Sequence, residues 1–341
     1  MSEPDVTVVV VPRERFSLAL SSLESLLSTV APERVLYVDG SAPPRVRDAL
    51  RDAARRRGFR LLRKERFLSP NQARNLGLAE VDTRYVAFVD NDVLFAPGWL
   101  EALVTRAERS GAAVVGPLYL QGPPADGVIH MAGGDLVIEE AEGRRRYRAV
   151  HREQGRRLAE LEERPAAQAC DFVELHCLLA RRDLLERTSG FDESLWNTRE
   201  HLDLCLAARA LGEEVWLEPA AVVAYVPGPP FALSDLPFFL LRWSEARSLS
   251  SLARFHGKWG FELRPAETNL DALKKRRYAF LGRRYRRAVA GVAQGLERRG
   301  AGGLLRKVAY PLEGALNRAL VVLLEKHLAE PARGHRAASR R

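Results

Sequence analysis

Short apolar runs alternate with helical patterns through the first ninety residues. Val6–Val11 is an unbroken run of β-branched residues closed by Pro12, which suits a strand buried on both faces. Leucines at 20, 23 and 27 then recur at helical spacing. Arg34-Val35-Leu36-Tyr37-Val38 reads as a second strand, ending in Asp39-Gly40-Ser41. Residues 45–57 form a basic amphipathic helical pattern, Phe59–Leu62 a third strand, and another helix begins near Asn71. Five apolar residues, Tyr85 to Val89, make a fourth strand that runs into Asp90-Asn91-Asp92. This β-α-β-α-β-α-β order with short links predicts an α/β fold, a mainly parallel sheet covered by helices on both faces.

The chemistry sits where such a sheet presents its ligands, at the carboxyl ends of the strands. Asp90 and Asp92 leave the fourth strand one residue apart, a placement that can hold a hard divalent cation and through it a diphosphate. The same triplet also makes an ordinary turn, so its company decides. Asp39, at the end of the second strand, can accept from a base N–H or ribose hydroxyls, or can simply form the turn before Gly40. Ser69-Pro70-Asn71-Gln72-Ala73-Arg74-Asn75-Leu76-Gly77 opens a helix with a Ser-Pro start. There Asn71 and Arg74 can face a ligand, or Arg74 can pair with an acid of the Asp-Asn-Asp turn. No Gly-x-Gly-x-x-Gly and no P-loop follow the first strand. About a hundred residues further on, Glu200-His201-Leu202-Asp203 opens a helix. At about 100° per residue Glu200 and Asp203 share one face, and His201 lies a quarter turn aside. A diacid on one element and an acidic pair on another suit transfer from a diphosphate leaving group.

These segments, together with Val8-Val9-Val10-Val11-Pro12 and Gly190-Phe191-Asp192-Glu193, occur in an order and spacing that resemble the family 2 glycosyltransferases over about residues 6 to 226. The resemblance implies a GT-A-type, Rossmann-like fold and a nucleotide-sugar donor linked to UDP, GDP or dTDP. It also implies a Mn2+ or Mg2+ ion and transfer by direct, inverting displacement. Carried onto this chain, it places Pro12, Asp39, Asn71, Arg74, Asp90 and Asn91 around the donor, and Asp90 and Asp92 on the metal. The base would come from Glu200, His201 or Asp203, with the two acids ahead of the histidine by chemistry. From the residues themselves, His130 and His176 either line the acceptor side or fill structural roles. Trp196, beside the base segment, either stacks on a sugar there or sits in the core. The acceptor would be a glycan, a lipid-linked sugar or a small molecule.

Three departures stand out. Arg13-Glu14-Arg15 follows the first strand where the family usually has a Tyr-Asn-like pair. His201 replaces an acid of the Glu-Asp-x-Asp pattern. Tyr225 ends the strand after that helix, where many relatives carry a metal-binding histidine, and His256 is a substitute to consider. A weakly catalytic scaffold of the same fold is therefore an alternative. A sugar nucleotidyltransferase is another, although Arg13 and Arg15 have no glycines beside them.

Charge divides the chain. The net charge is +9, yet residues 274–341 hold 18 Lys+Arg against 4 Asp+Glu. The remainder is mildly acidic, which excludes a nucleic-acid reading of the whole. A catalytic domain over 1–230, a helical basic extension over 231–330 and a disordered tail over 331–341 are the expected divisions. The basic segment Lys274–Arg287 and the apolar stripe from Leu304 to Leu328 would suit an anionic membrane surface. The charged stretch from Glu139 to Pro165 reads as a mobile loop ordering over substrate. Three cysteines without Cys-x-x-Cys spacing, and no export signal or membrane span, predict a cytoplasmic protein.

Overall fold

The computed structural model describes residues 5–122, 124–226, 232–268 and 315–326. The first half is laid down as the pattern requires. Strand β1 (Val6–Val11), helix α1 (Ala19–Leu27), strand β2 (Val35–Gly40), helix α2 (Pro44–Arg57), strand β3 (Arg60–Lys64), helix α3 (Pro70–Leu78) and strand β4 (Tyr85–Asp90) follow in turn. β1, β2 and β4 are buried along their whole length, as strands covered on both sides must be. β3, β2, β1 and β4 lie side by side and all parallel. Helix α3 lies close on this sheet because Gly77 has no side chain. A Cβ there would stand 2.4 Å from Val9 Cγ1.

Beyond β4 the sheet becomes mixed. After β5 (Val93–Phe95), α4 (Trp99–Ser110), β6 (Val114–Gln121) and β7 (Ile129–Met131), the chain forms β8 (Gly134–Ala141) and β9 (Arg144–His151). It continues with β10 (Gln168–Cys170), β11 (Cys177–Arg181), α5 (Arg182–Arg187), α6 (Glu200–Ala210) and β12 (Val215–Tyr225). The main path runs β10-β12-β6-β11-β4-β1-β2-β3, with β5 on β12 and β7 on β6, ten strands in all. β11 is antiparallel to both β4 and β6, and brings the residues before it against the diacid. β12 runs parallel to β6 with a bulge. Glu218 pairs with Pro117 and Val222 with Leu118, so Pro219, Ala220 and Ala221 have no counterpart on β6.

The charged stretch from Glu139 to Pro165 is not the loose excursion its composition suggests. Most of its first half belongs to the antiparallel β8–β9 hairpin, in register from Gly134↔His151 to Ala141↔Arg144. The hairpin is tied to the C-terminal part. Glu262 N donates to Arg145 O at 2.7 Å, Arg144 and Arg146 pair with Glu262, and Tyr147 packs on Phe261 with centroids 4.7 Å apart. The charges are solvated or paired at the rim, while Tyr147 supplies the buried contact.

Helices α7 (Leu236–Arg242) and α8 (Glu245–Trp259) fold back on the sheet domain. Phe238 meets Phe16 edge-on at 4.7 Å, Phe16 N donates to Asp235 Oδ1 at 2.8 Å, and Trp243 Nε1 donates to Glu14 Oε2 at 2.7 Å. Residues 315–326 add a further helix, which buries Val321 and pairs Glu325 with Arg247. Lys274–Arg287, most of the flanks of the Leu304–Leu328 stripe and the tail 331–341 lie outside the described residues. Among the described residues no helix is long and apolar enough to cross a membrane.

Candidate active site

Strand β4 delivers the diacid, and the loop after β1 closes over it. Asn91 braces that loop: its Oδ1 accepts from Arg13 N at 3.2 Å and its Nδ2 donates to Arg15 O at 2.9 Å. Helix α3 begins in a full capping box, with Ser69 Oγ accepting from Gln72 N and Gln72 Oε1 accepting from Ser69 N. That start fixes Asn71 and Arg74 one turn apart. Arg74 donates to Asn71 Oδ1 at 2.9 Å and to Asp90 Oδ1 at 3.1 Å.

Asp90 is saturated. Its Oδ2 meets His176 Nδ1 at 3.0 Å and Arg13 Nε at 3.5 Å. Burial would raise this carboxyl, but the His176 bond and the charges of Arg13 and Arg74 outweigh it and hold the group at about 2. Asp92 differs. Arg15 Nη2 lies 3.3 Å from its Oδ2, while Oδ1 is buried with no partner. Burial pushes its carboxyl up, against the pull of Arg13 and Arg15. A buried carboxylate oxygen without a donor is costly, and a cation would satisfy it. The donor chemistry at Asp92 therefore fits a hard divalent ion, whereas both oxygens of Asp90 already have partners.

Asp90 forms one wall of a cleft of about 170 Å³ lined also by Arg13, Arg74, His130, Glu174, His176, Glu200, His201, Tyr225 and Arg242. The cleft is rich in histidine. Glu174 Oε1 meets His151 Nε2 at 3.1 Å and its Oε2 lies 3.5 Å from His201 Nδ1. Burial opposes the charge on Glu174, but His201, His151, His176 and His130 keep its carboxyl well below the ordinary range. Burial lowers His201 despite Glu174 and Glu200. His130, whose two ring nitrogens are buried without partners, is pushed down to about 4 by burial and by His176. Arg199, just before α6, adopts φ 69°, a left-handed conformation uncommon for a residue with a Cβ. That backbone turn sets the direction in which Glu200 and His201 leave the loop.

The residues expected at the site divide. Asp90, Arg74, His130, His176, Glu200 and His201 share the cleft. Glu200 is also within 3.5 Å of Arg242 Nη2. Asp203 is turned away: Lys258 Nζ and Trp259 Nε1 donate to it at 2.7 and 2.8 Å. It lines a larger hollow of about 430 Å³ on the outer side of α6, with Arg187, Asp192 and Arg254. That hollow holds no part of the diacid, so the smaller cleft is the candidate site. Trp196 does not line the cleft either, and Arg247 of α8 stacks on its ring at 4.2 Å. Asp39 is fully buried, bonded to Ala42 N at 2.7 Å and paired with Arg63. Pro12 lines a separate small hollow with Phe16 and Phe238. His256 is buried against Tyr147 and Phe261 and does not stand in for the absent histidine. Tyr225 takes that position, stacked on His176 at 4.3 Å with Arg13 over its ring at 4.8 Å.

Four contributors were not singled out from sequence. Glu174 and Arg242 belonged to none of the motifs, and Arg13 was visible only as a departure from the family pattern. His151 lay inside the charged stretch.

Residues 7–187 match the family model Glycosyl transferase family 2, more than half of the chain. The chain belongs to that family. Among curated relatives, a pre-mycofactocin glycosyltransferase of Mycobacterium tuberculosis (strain ATCC 25618 / H37Rv) is 29% identical over 229 residues, 66% of this chain and 43% of that protein. The human polypeptide N-acetylgalactosaminyltransferase 15 is 33% identical over 110 residues, 31% of this chain and 17% of that one. The chain thus spans less than half the length of these relatives. Among solved structures, GalNAc-T7 with UDP, GalNAc and Mn2+ superposes with a TM-score of 0.51 at 14% identity, covering 80% of this chain and 53% of that one. A mannosyltransferase from Pyrobaculum calidifontis in complex with GDP-Man and Mn2+ does so with a TM-score of 0.50 at 17% identity, covering 96% and 87%. The fold that the resemblance implied, an α/β sheet of GT-A type with a helical C-terminal part, is the fold observed.

Proposed function

We propose that this family 2 chain transfers a glycosyl group from a nucleoside-diphosphate sugar to an acceptor hydroxyl, with His201 as the base. The observation that carries this reading is the geometry of helix α6. His201 faces the Asp90 cleft with Glu174 behind it, while Asp203 is bound to Lys258 and Trp259 on the other side. With an ionised carboxylate beside Nδ1, the ring proton sits on that nitrogen and Nε2 is left to accept. The lowered pKa of His201 keeps the ring neutral at physiological pH.

His201 Nε2 would take the proton of the acceptor hydroxyl as its oxygen attacks the anomeric carbon. The bond from that carbon to the diphosphate oxygen breaks in the same displacement, which inverts the centre. Arg13 and Arg74 hold Asp90 ionised and carry donors with no partner, Nη1 of Arg13 and Nε of Arg74, buried at this wall. These are suited to phosphate oxygens. Asp92 is the residue that would hold a Mn2+ or Mg2+ ion, which would supply positive charge to the departing diphosphate. The acceptor is a glycan, a lipid-linked sugar or a small molecule, and the basic sequence 274–287 would favour one presented at an anionic membrane surface.

The test is turnover of UDP-, GDP- and dTDP-sugars by the full chain, with Mn2+ or chelator, against Asp92→Asn and His201→Gln. Selective donor hydrolysis or transfer that falls in both variants supports the reading. Nucleotide binding without turnover under any condition would leave a binding scaffold instead.

A further inference from the structure

His151, Glu174 and His201 arrive at one point from three separate parts of the fold. His151 is the last residue of β9, Glu174 precedes β11, and His201 is the second residue of α6. One ligand atom from each lies within 4.8 Å of the other two, and among the described residues this is the only such group of three or more histidine, cysteine or acidic side chains. The contacts of 3.1 and 3.5 Å, one to each oxygen of Glu174, are close to the ~3.4 Å that separates two ligands held tetrahedrally by an ion at 2.0–2.1 Å. The three side chains are 22%, 16% and 15% exposed, sheltered yet open to an ion arriving through the cleft. Among the described residues, Glu174 has histidines within ion-pair distance and no lysine or arginine.

We infer that His151, Glu174 and His201 form a binding site for a transition-metal ion of the Zn2+ class, separate from the hard-ion position at Asp92. Two imidazoles and one carboxylate are a donor set that Zn2+ uses with a fourth position open. Mg2+ prefers an all-oxygen shell. Its functional consequence rests on the assignment of His201 as base. An ion on Nδ1 leaves the single ring proton on Nε2, so His201 can no longer accept the proton of the acceptor hydroxyl. A bound ion therefore switches transfer off.

The experiment is direct Zn2+ titration of the full chain by calorimetry, repeated with Co2+ by visible absorption, without nucleotide. Wild type, His151→Ala, Glu174→Gln and Asp92→Asn are compared, with circular dichroism and nucleotide binding as folding controls. The expected result is one Zn2+ per chain, weakened at least about tenfold in His151→Ala and Glu174→Gln and retained in Asp92→Asn. Co2+ should give the intense bands of a low-coordinate site in wild type alone of the first three proteins. Absence of Zn2+ binding, or binding unchanged in folded His151→Ala, overturns the site. If Zn2+ binds as expected but does not slow donor turnover, the site stands and His201 is not the base. Because binding is read without substrate, a failure of the glycosyl-transfer reading leaves this arm intact.

Discussion

His176 lies flat on Tyr225, with ring centroids 4.3 Å apart and planes 16° from parallel, while its Nδ1 meets Asp90 at 3.0 Å. The tyrosine therefore acts on the diacid at one remove, by fixing the ring that holds it. Tyr225→Phe keeps the stack and should leave donor affinity near wild type. Tyr225→Ala should weaken it by roughly three- to tenfold, the range of an aromatic pair worth ~0.5–1.5 kcal/mol. Calorimetry with nucleoside diphosphates reads the difference. Equal loss in both variants would point to the hydroxyl and not to the stack.

Arg74 is 2% exposed and bound to Asp90. Removing one partner of a buried pair typically costs about 3–5 kcal/mol. Arg74→Met should lower stability by that order in urea denaturation, and adding Asp90→Asn should restore part of it. A single-variant loss under ~1 kcal/mol would mean that water replaces the guanidinium freely.

Substituting His201 by Gln should lower kcat by about 10²–10⁴, the usual contribution of a positioned base. In wild type the acid limb of the kcat profile should fall below the ordinary histidine value, because burial lowers His201. A variant with no change in kcat would return the role to Glu200, which shares the cleft.

Asp203→Ala removes the acceptor of Lys258 and Trp259, so its effect belongs to the docking of α8. Thermal unfolding should show a loss of about 1–3 kcal/mol, with kcat per folded molecule unchanged. A large fall in kcat at unchanged stability would put Asp203 back among the catalytic candidates.

Acid stability should change in two windows. His130 is lowered from 6.5 to about 4, so the unfolded chain binds more protons than the folded one between those values, and stability falls as pH drops through them. The effect is at most about 3 kcal/mol. Asp90, lowered from 3.8 to about 2, adds its loss only below pH 4. His130→Gln should flatten urea midpoints between pH 6.5 and 4 and leave the lower window in place.

Much of the donor half was legible because it is local. A β-branched run, a Ser-Pro helix start and a diacid after five apolar residues each state their structure within one element. The face shared by Glu200 and Asp203 was also legible, since both line the outer hollow of α6. Which face meets the diacid was not, because α8 decides it by placing Lys258 and Trp259 against Asp203. The hairpin was hidden for a similar reason. Its arginines look like a solvated run until Glu262, more than a hundred residues later, is placed beside them. His151 was hidden with it.

The three extra residues in β12 decide more than the shape of an edge. Along a strand successive side chains alternate between faces, and Tyr225 lies four residues beyond the last of them, Ala221. Lengthening Pro219-Ala220-Ala221 by one would turn Tyr225 away from His176 and offer Ala224 in its place, and shortening it by one would offer Val226. The bulge thus works as a phase setting, through which a small insertion far from the cleft can unseat the ring that steadies Asp90.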